Sequence, residues 1–128
     1  RLEGANKQYR TRTMISEGTY HHVEKQVIAR ELDRLVVAGK TEPIRVYELL
    51  GMMNDAISEK RSEFIEHYTR GLALYRQRRW NEAVACFEQA LDRSPDDYPS
   101  QMYIERSQMY LATPPPDDWN GVFILRMK

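Results

Sequence analysis

Cysteine is nearly absent from this chain of 128 residues, which has only Cys86. One thiol cannot close an internal disulfide, so the fold must rest on its core, and the chain suits a reducing compartment. Cys86 lies between Ala85 and Phe87 in an apolar stretch and is expected as a small core residue. An excess of one charge is absent too. Nineteen basic and 19 acidic residues cancel, leaving no global field to recruit nucleic acid or an anionic membrane. No apolar run approaches the ~20 residues needed to span a bilayer. There is no secretory signal pattern, and the first residue is Arg1 rather than Met; both are expected of a fragment of a longer protein. Glycine-rich phosphate loops, a G-x-S-x-G elbow and an H-E-x-x-H zinc motif are all missing. His21 and His22 are adjacent, which sets them on different sides of a helix, and no Cys/His cluster accompanies them, so a surface pair is expected. Asp96-Asp97 and Asp117-Asp118 stand beside prolines and read as turn and cap residues.

What is present falls into two compositions. With 41% hydrophobic and 30% charged residues the chain can fold. Up to Gly51 the character is mixed α/β. Arg1 to about Tyr9 reads as the end of a helix and its turn, Thr11–Ser16 as a short strand, and Ser16 as the cap of a short helix reaching about Val23. Over Val27–Val37, helix and strand compete on pattern alone. Gly39 to Pro43 is a turn. Ile44–Leu50 alternates, with Ile44, Val46 and Glu48 on one face and Arg45, Tyr47 and Leu49 on the other, and predicts a strand antiparallel to the preceding segment.

From about Ser58 the residues favour helix. Ala83, Phe87, Ala90 and Leu91 recur at one-stripe spacing, and Pro95 ends the helix that carries them. With Gly71 as a small residue on the preceding helix, this pattern resembles a tetratricopeptide repeat, a helix–turn–helix of about 34 residues. The intervening turn is placed at Arg78-Arg79-Trp80-Asn81, and the basic run from Arg76 to Arg79 is expected to be a solvated helix end. His67, Arg70 and Leu74 depart from the Trp, Leu and Tyr of the repeat pattern. Tyr68, Leu72, Tyr75, Trp80 and Phe87 are expected in the core. A helix over Ser100–Leu111 is expected to cap the hairpin. Thr113-Pro114-Pro115-Pro116 then stops helical structure, and Trp119, Val122 and Phe123 are expected to dock back on a folded surface.

A second resemblance lies in the first 51 residues. Arg1-Leu2-Glu3-Gly4, Asn6-Lys7-Gln8-Tyr9, Ile15-Ser16-Glu17, Arg30-Glu31-Leu32-Asp33-Arg34, Gly39-Lys40-Thr41-Glu42-Pro43 and Val46-Tyr47-Glu48-Leu49-Leu50-Gly51 follow one another. This series resembles the C-terminal part of the catalytic domain of bacterial class III adenylate/guanylate cyclases. The tail Asp117-Asp118-Trp119-Asn120-Gly121-Val122 resembles the D-W-x-G-V ending found after that domain. The resemblance implies a strand over Val27–Val37, and the β-branched pair Val36-Val37 agrees. It implies an enzyme that converts ATP or GTP to the 3′,5′-cyclic nucleotide and pyrophosphate in a homodimer. Two aspartates would hold Mg2+ or Mn2+, and an Asn and an Arg one turn apart on a helix would position the ribose and stabilise the transferring phosphoryl group. Arg1 matches that Arg. The Asn and both aspartates would lie upstream, so the fragment alone is expected to hold no metal and to be inactive. Lys40 matches a lysine that contacts the terminal phosphates, with a solvated turn residue as the competing reading. Ala38 stands where the family has the first lysine of that turn, and Arg10 where it has glycine.

The expected fold is therefore α+β. Residues 1–51 form an incomplete, ferredoxin-like cyclase catalytic domain, 52–57 a linker, 58–112 a helical segment similar to a tetratricopeptide repeat, and 113–128 a proline-rich turn and docking tail. The expected function is that of an adenylate cyclase fragment acting in intracellular signalling. Its localisation would be cytoplasmic, with membrane anchoring of the parent through upstream sequence left open. The alternative is a non-catalytic protein-interaction module in which the helical hairpin binds a protein partner.

Overall fold

The computed structural model describes residues 3–37 and 39–125. They form two units, one built from the chain up to Ala56 together with the stretch from Gly121 onward, the other from Ile57–Asn120. The architecture is mixed α+β, with a four-stranded sheet in the first unit and a helical hairpin plus a third helix in the second. Among the described residues no helix is long and apolar enough to cross a membrane.

The first unit contains α1 (Glu3–Gln8), β1 (Met14–Ser16), α2 (Glu17–Val23), β2 (Val27–Val37), β3 (Ile44–Met52) and β4 (Val122–Leu125). The sheet order is β1-β3-β2-β4. β1 and β2 run antiparallel to β3, and β4 runs parallel to β2. Ser16 is extended and its hydroxyl accepts from the Thr19 amide at 3.2 Å, which starts α2. Gly39 takes φ +85 in the β2–β3 turn, a left-handed conformation that costs glycine little. Arg10 has φ 53 after α1, at a cost of roughly 1–2 kcal/mol for a residue with a Cβ.

A bulge in β2 sets the buried face. Arg30 lies opposite Glu48 and Asp33 opposite Val46. Val46 and Glu48 are two apart on β3 and share one face, so Arg30 and Asp33, three apart, share it only because the register shifts between Glu31 and Asp33. Ala5, Tyr9, Leu32, Leu35 and Val46 complete this core. β3 runs two residues beyond the expected Leu50, and Asp55 accepts from the Met52 amide at 2.8 Å to end it. Val122 and Phe123, expected as a docking tail, instead enter a strand whose register places Arg34 opposite Val122.

The second unit holds α3 (Glu59–Arg76), α4 (Trp80–Arg93) and α5 (Tyr98–Ala112). Ser58 caps α3, accepting from the Arg61 amide at 3.1 Å, and Asp97 caps α5, accepting from the Ser100 amide at 3.1 Å. Pro99 sits in the first turn of α5, where no amide is needed. Buried positions on α3 are Phe64, Tyr68, Gly71, Leu72 and Tyr75, and on α4 Trp80, Ala83, Cys86, Phe87 and Ala90. A Cβ on Gly71 would stand 3.0 Å from the Phe87 ring, so the missing side chain is what lets the ring seat against α3. Tyr103 of α5 stacks on Phe87 with centroids 5.3 Å apart.

One boundary differs from the expectation. Trp80 and Asn81, expected in the turn, instead open α4, with Trp80 buried edge-on to Tyr75 at 5.6 Å. Burial of the indole draws it into the helix, and the Ala83 amide donates to the Arg79 carbonyl at 2.9 Å. Arg78 has φ 65 at the turn itself.

Candidate functional site

Of the residues expected to touch a nucleotide, Arg1 lies outside the described residues, as does Ala38 of the adjoining turn. Lys40 stands exposed on the β2–β3 turn. Among the described residues no group of three or more His, Cys, Asp or Glu is arranged to hold a metal ion. His21 is exposed between Glu24, 2.8 Å away, and Glu17, 3.5 Å away. The hydrogen bond with Glu24, and then that with Glu17, raises its pKa above the usual 6.5. Its charge therefore supports α2 below that pH, and the support fades as pH rises through the raised value.

What the fold does build is a buried polar layer on the sheet. The Arg30 guanidinium donates to Glu48 Oε1 from Nε at 2.9 Å and from Nη2 at 2.7 Å, with both side chains largely removed from water. The Tyr9 hydroxyl donates to Asp33 Oδ2, and the Arg34 amide donates to Asp33 Oδ1 at 2.8 Å. Both Tyr9 and Asp33 are fully buried. Tyr9 follows α1, and its amide donates to the Ala5 carbonyl at 3.0 Å. The layer thereby fixes the end of α1 on β2. Asn6 adds a tie at 3.1 Å to the Arg12 carbonyl. On the other face Tyr20 of α2 stacks on Tyr47 of β3, centroids 4.1 Å apart. Burial and then Glu31 push the Tyr47 phenol upward.

Sequence reasoning missed this layer. The available signal was Glu48 in phase with Ile44 and Val46, a carboxylate on an apolar face. Its partner was invisible without the register. Tyr9→Phe tests the tie. It removes the donor to a fully buried carboxylate and is expected to cost about 1–3 kcal/mol. Amide exchange should accelerate through α1 while α3–α5 exchange as in the parent chain. An unchanged α1 would show that Tyr9 does not anchor it.

Comparison with known proteins adds two findings. The tetratricopeptide repeat family matches residues 64–97. The chain is also 26% identical over 116 residues to the terminal-differentiation specific adenylate cyclase of Dictyostelium discoideum. That similarity covers 88% of this chain and 6% of the relative's length. No solved structure matches. The repeat match begins at Phe64 and ends at Asp97, the cap of α5, so it spans the interlocked part of α3 and all of α4. Within it Gly71, Ala83, Phe87 and Ala90 are the residues that let the two helices approach. His67 is half-buried and Arg70 exposed, while Phe64, Tyr68, Leu72 and Tyr75 take the interior.

Proposed function

We propose that this chain is a working part of a class III adenylate cyclase. The sheet unit would be the closing portion of its ferredoxin-like catalytic domain and the helical unit an extension that binds a protein partner. The observation that carries this reading is the similarity to the Dictyostelium adenylate cyclase, because it runs through 116 residues rather than through the repeat alone. In this reading the parent is a homodimer that converts ATP to cyclic AMP and pyrophosphate. The described residues do not fit a metal site, so Mg2+ or Mn2+ would be held by aspartates upstream, and no step through the metal is assigned to this chain. Its own contribution would be Arg1, set against the transferring phosphoryl group, and Lys40 as a contact to the terminal phosphates. A guanidinium fork suits a phosphoryl group gaining charge in the transition state.

The second reading is an interaction module without catalysis, favoured by the repeat match over residues 64–97. An assay separates the two. The chain alone, incubated with Mn2+ and ATP, is expected to form no cyclic AMP. Joined to its upstream sequence it is expected to be active, and Arg1→Ala should then lower kcat with little change in KM. Cyclic AMP from the chain alone would contradict the division of labour. Inactivity of the extended polypeptide would leave the interaction module, and a raised KM at constant kcat would make Arg1 a ground-state binder.

A further inference from the structure

The antiparallel ladder between β2 and β3 stops at Leu35, opposite Ile44. Val36 and Val37 lie beyond it, and they pair with Ile124 and Leu125 of β4. The turn that carries Gly39 and Lys40 follows. Among the described residues, β4 is therefore the strand that pairs with the last two residues of β2 before that turn. It runs parallel to β2, so it heads toward the turn as well.

β4 is poorly equipped to dock unaided. It is an edge strand of four residues, paired in parallel, and its Ile124 is 59% exposed. A short parallel edge with so little burial is marginal. What precedes it is firmly held. Trp119 packs edge-on to Tyr75 at 5.5 Å and against Trp80 and Tyr110 at 5.6 and 5.4 Å, in the core of the helical unit. The Arg78 guanidinium donates to the Pro115 carbonyl at 3.1 Å and lies 5.5 Å over the Trp119 ring. Only Asn120 and Gly121 separate Trp119 from Val122, and Gly121 makes the turn at φ +85. A joint this short leaves an undocked strand little volume to explore, which offsets its weak pairing.

We propose that β4 is a positioning strand: it fixes the stem of the Lys40 turn, and its anchor at Trp119 makes the placement of Lys40 depend on the helical unit. The role of Lys40 rests on the cyclase reading; the tie from Trp119 to Val36 and Val37 stands without it. An exposed lysine is a useful phosphate ligand only where its backbone is preorganised. Whatever loosens or tightens the helical core then changes nucleotide affinity through β4, without a contact to the nucleotide.

Amide exchange of the full chain tests the tie. Trp119→Ala, and separately a flexible Gly/Ser linker inserted between Asn120 and Gly121, should each speed exchange over Arg34–Lys40 about tenfold. Ala29, Arg30 and Glu31, which pair with β3, should exchange as in the parent chain. The insertion keeps every side chain of the helical core, so it reports even if Trp119→Ala does not fold. Unchanged exchange over Arg34–Lys40 with the linker inserted overturns the proposal, as does a rise spread evenly along β2. The kinetic arm uses the polypeptide joined to its upstream sequence. Lys40→Ala should raise KM for ATP about tenfold at nearly constant kcat. The linker should raise KM in the same direction, and should add nothing once Lys40 is alanine. Additive effects on KM overturn the positioning role. An unaltered polypeptide without activity would sink the cyclase reading, and exchange would still decide the tie.

Discussion

Glu48→Ala is expected to unfold the sheet unit, or to leave it marginal, at a cost of about 3–5 kcal/mol. The carboxylate is 9% exposed and lies directly across the ladder from Arg30, itself 5% exposed. Desolvation makes such a pair a weak source of net stability, but removing one member leaves the other charge buried without its cross-strand counterion. A unit of this size has little reserve, since small domains bury a smaller share of their surface. Both tryptophans, Trp80 and Trp119, lie in the helical unit. Urea melts followed by tryptophan emission should therefore change little, while amide exchange through β2 and β3 rises sharply. The double variant Arg30→Met with Glu48→Leu separates charge from volume. It should recover most of the loss, because replacing both charges by apolar groups is often neutral or stabilising. If Glu48→Ala leaves exchange in β2 and β3 unchanged, the pair does not hold the sheet.

Phe87→Ala should act on the other unit, lowering its stability by about 3–5 kcal/mol. The ring is fully buried, stacked on Tyr103 and edge-on to Tyr68 at 5.7 Å. Its removal empties the space between α3, α4 and α5 together. Gly71 supplies a control with opposite signs in two backgrounds. Gly71→Ala alone thrusts a methyl to 3.0 Å from the ring, and overpacking of this kind costs about 1–3 kcal/mol. In the Phe87→Ala background the same methyl has room, and the change should regain roughly 1 kcal/mol of helix propensity. Urea midpoints from tryptophan emission measure all three variants. Additive effects would mean that the ring and the glycine do not share one contact.

Most elements were legible because their local signals agreed. Ser16 and Asp97 are side-chain caps where the sequence placed turn and cap residues. Gly71, Ala83, Phe87 and Ala90 announced a helix crossing through size and spacing, and the structure puts Phe87 against Gly71. The alternation of Ile44 to Glu48 gave the faces of β3, since side-chain period follows directly from backbone geometry. Over Val27–Val37 the residue pattern alone leaves helix and strand open, the family resemblance and Val36-Val37 favour strand, and the pairing with β3 supplies the partner that makes it one. The bulge at Leu32 that turns Asp33 toward Tyr9 has no signature in residue type, because register depends on a strand brought from elsewhere in the chain. β4 was missed for a related reason. Four residues, Val122–Leu125, become a strand by pairing with β2, a partner more than eighty positions earlier. Arg78 shows the sharpest division. Its charge made it a surface residue on the sequence; its reach to the Pro115 and Pro116 carbonyls exists only once α3 and residues 113–120 are assembled. Periodicity, size and capping are properties of neighbours along the chain, and the sequence determined those elements alone. Pairing, register and buried charge depend on residues that only folding brings together, and the tertiary structure decided them.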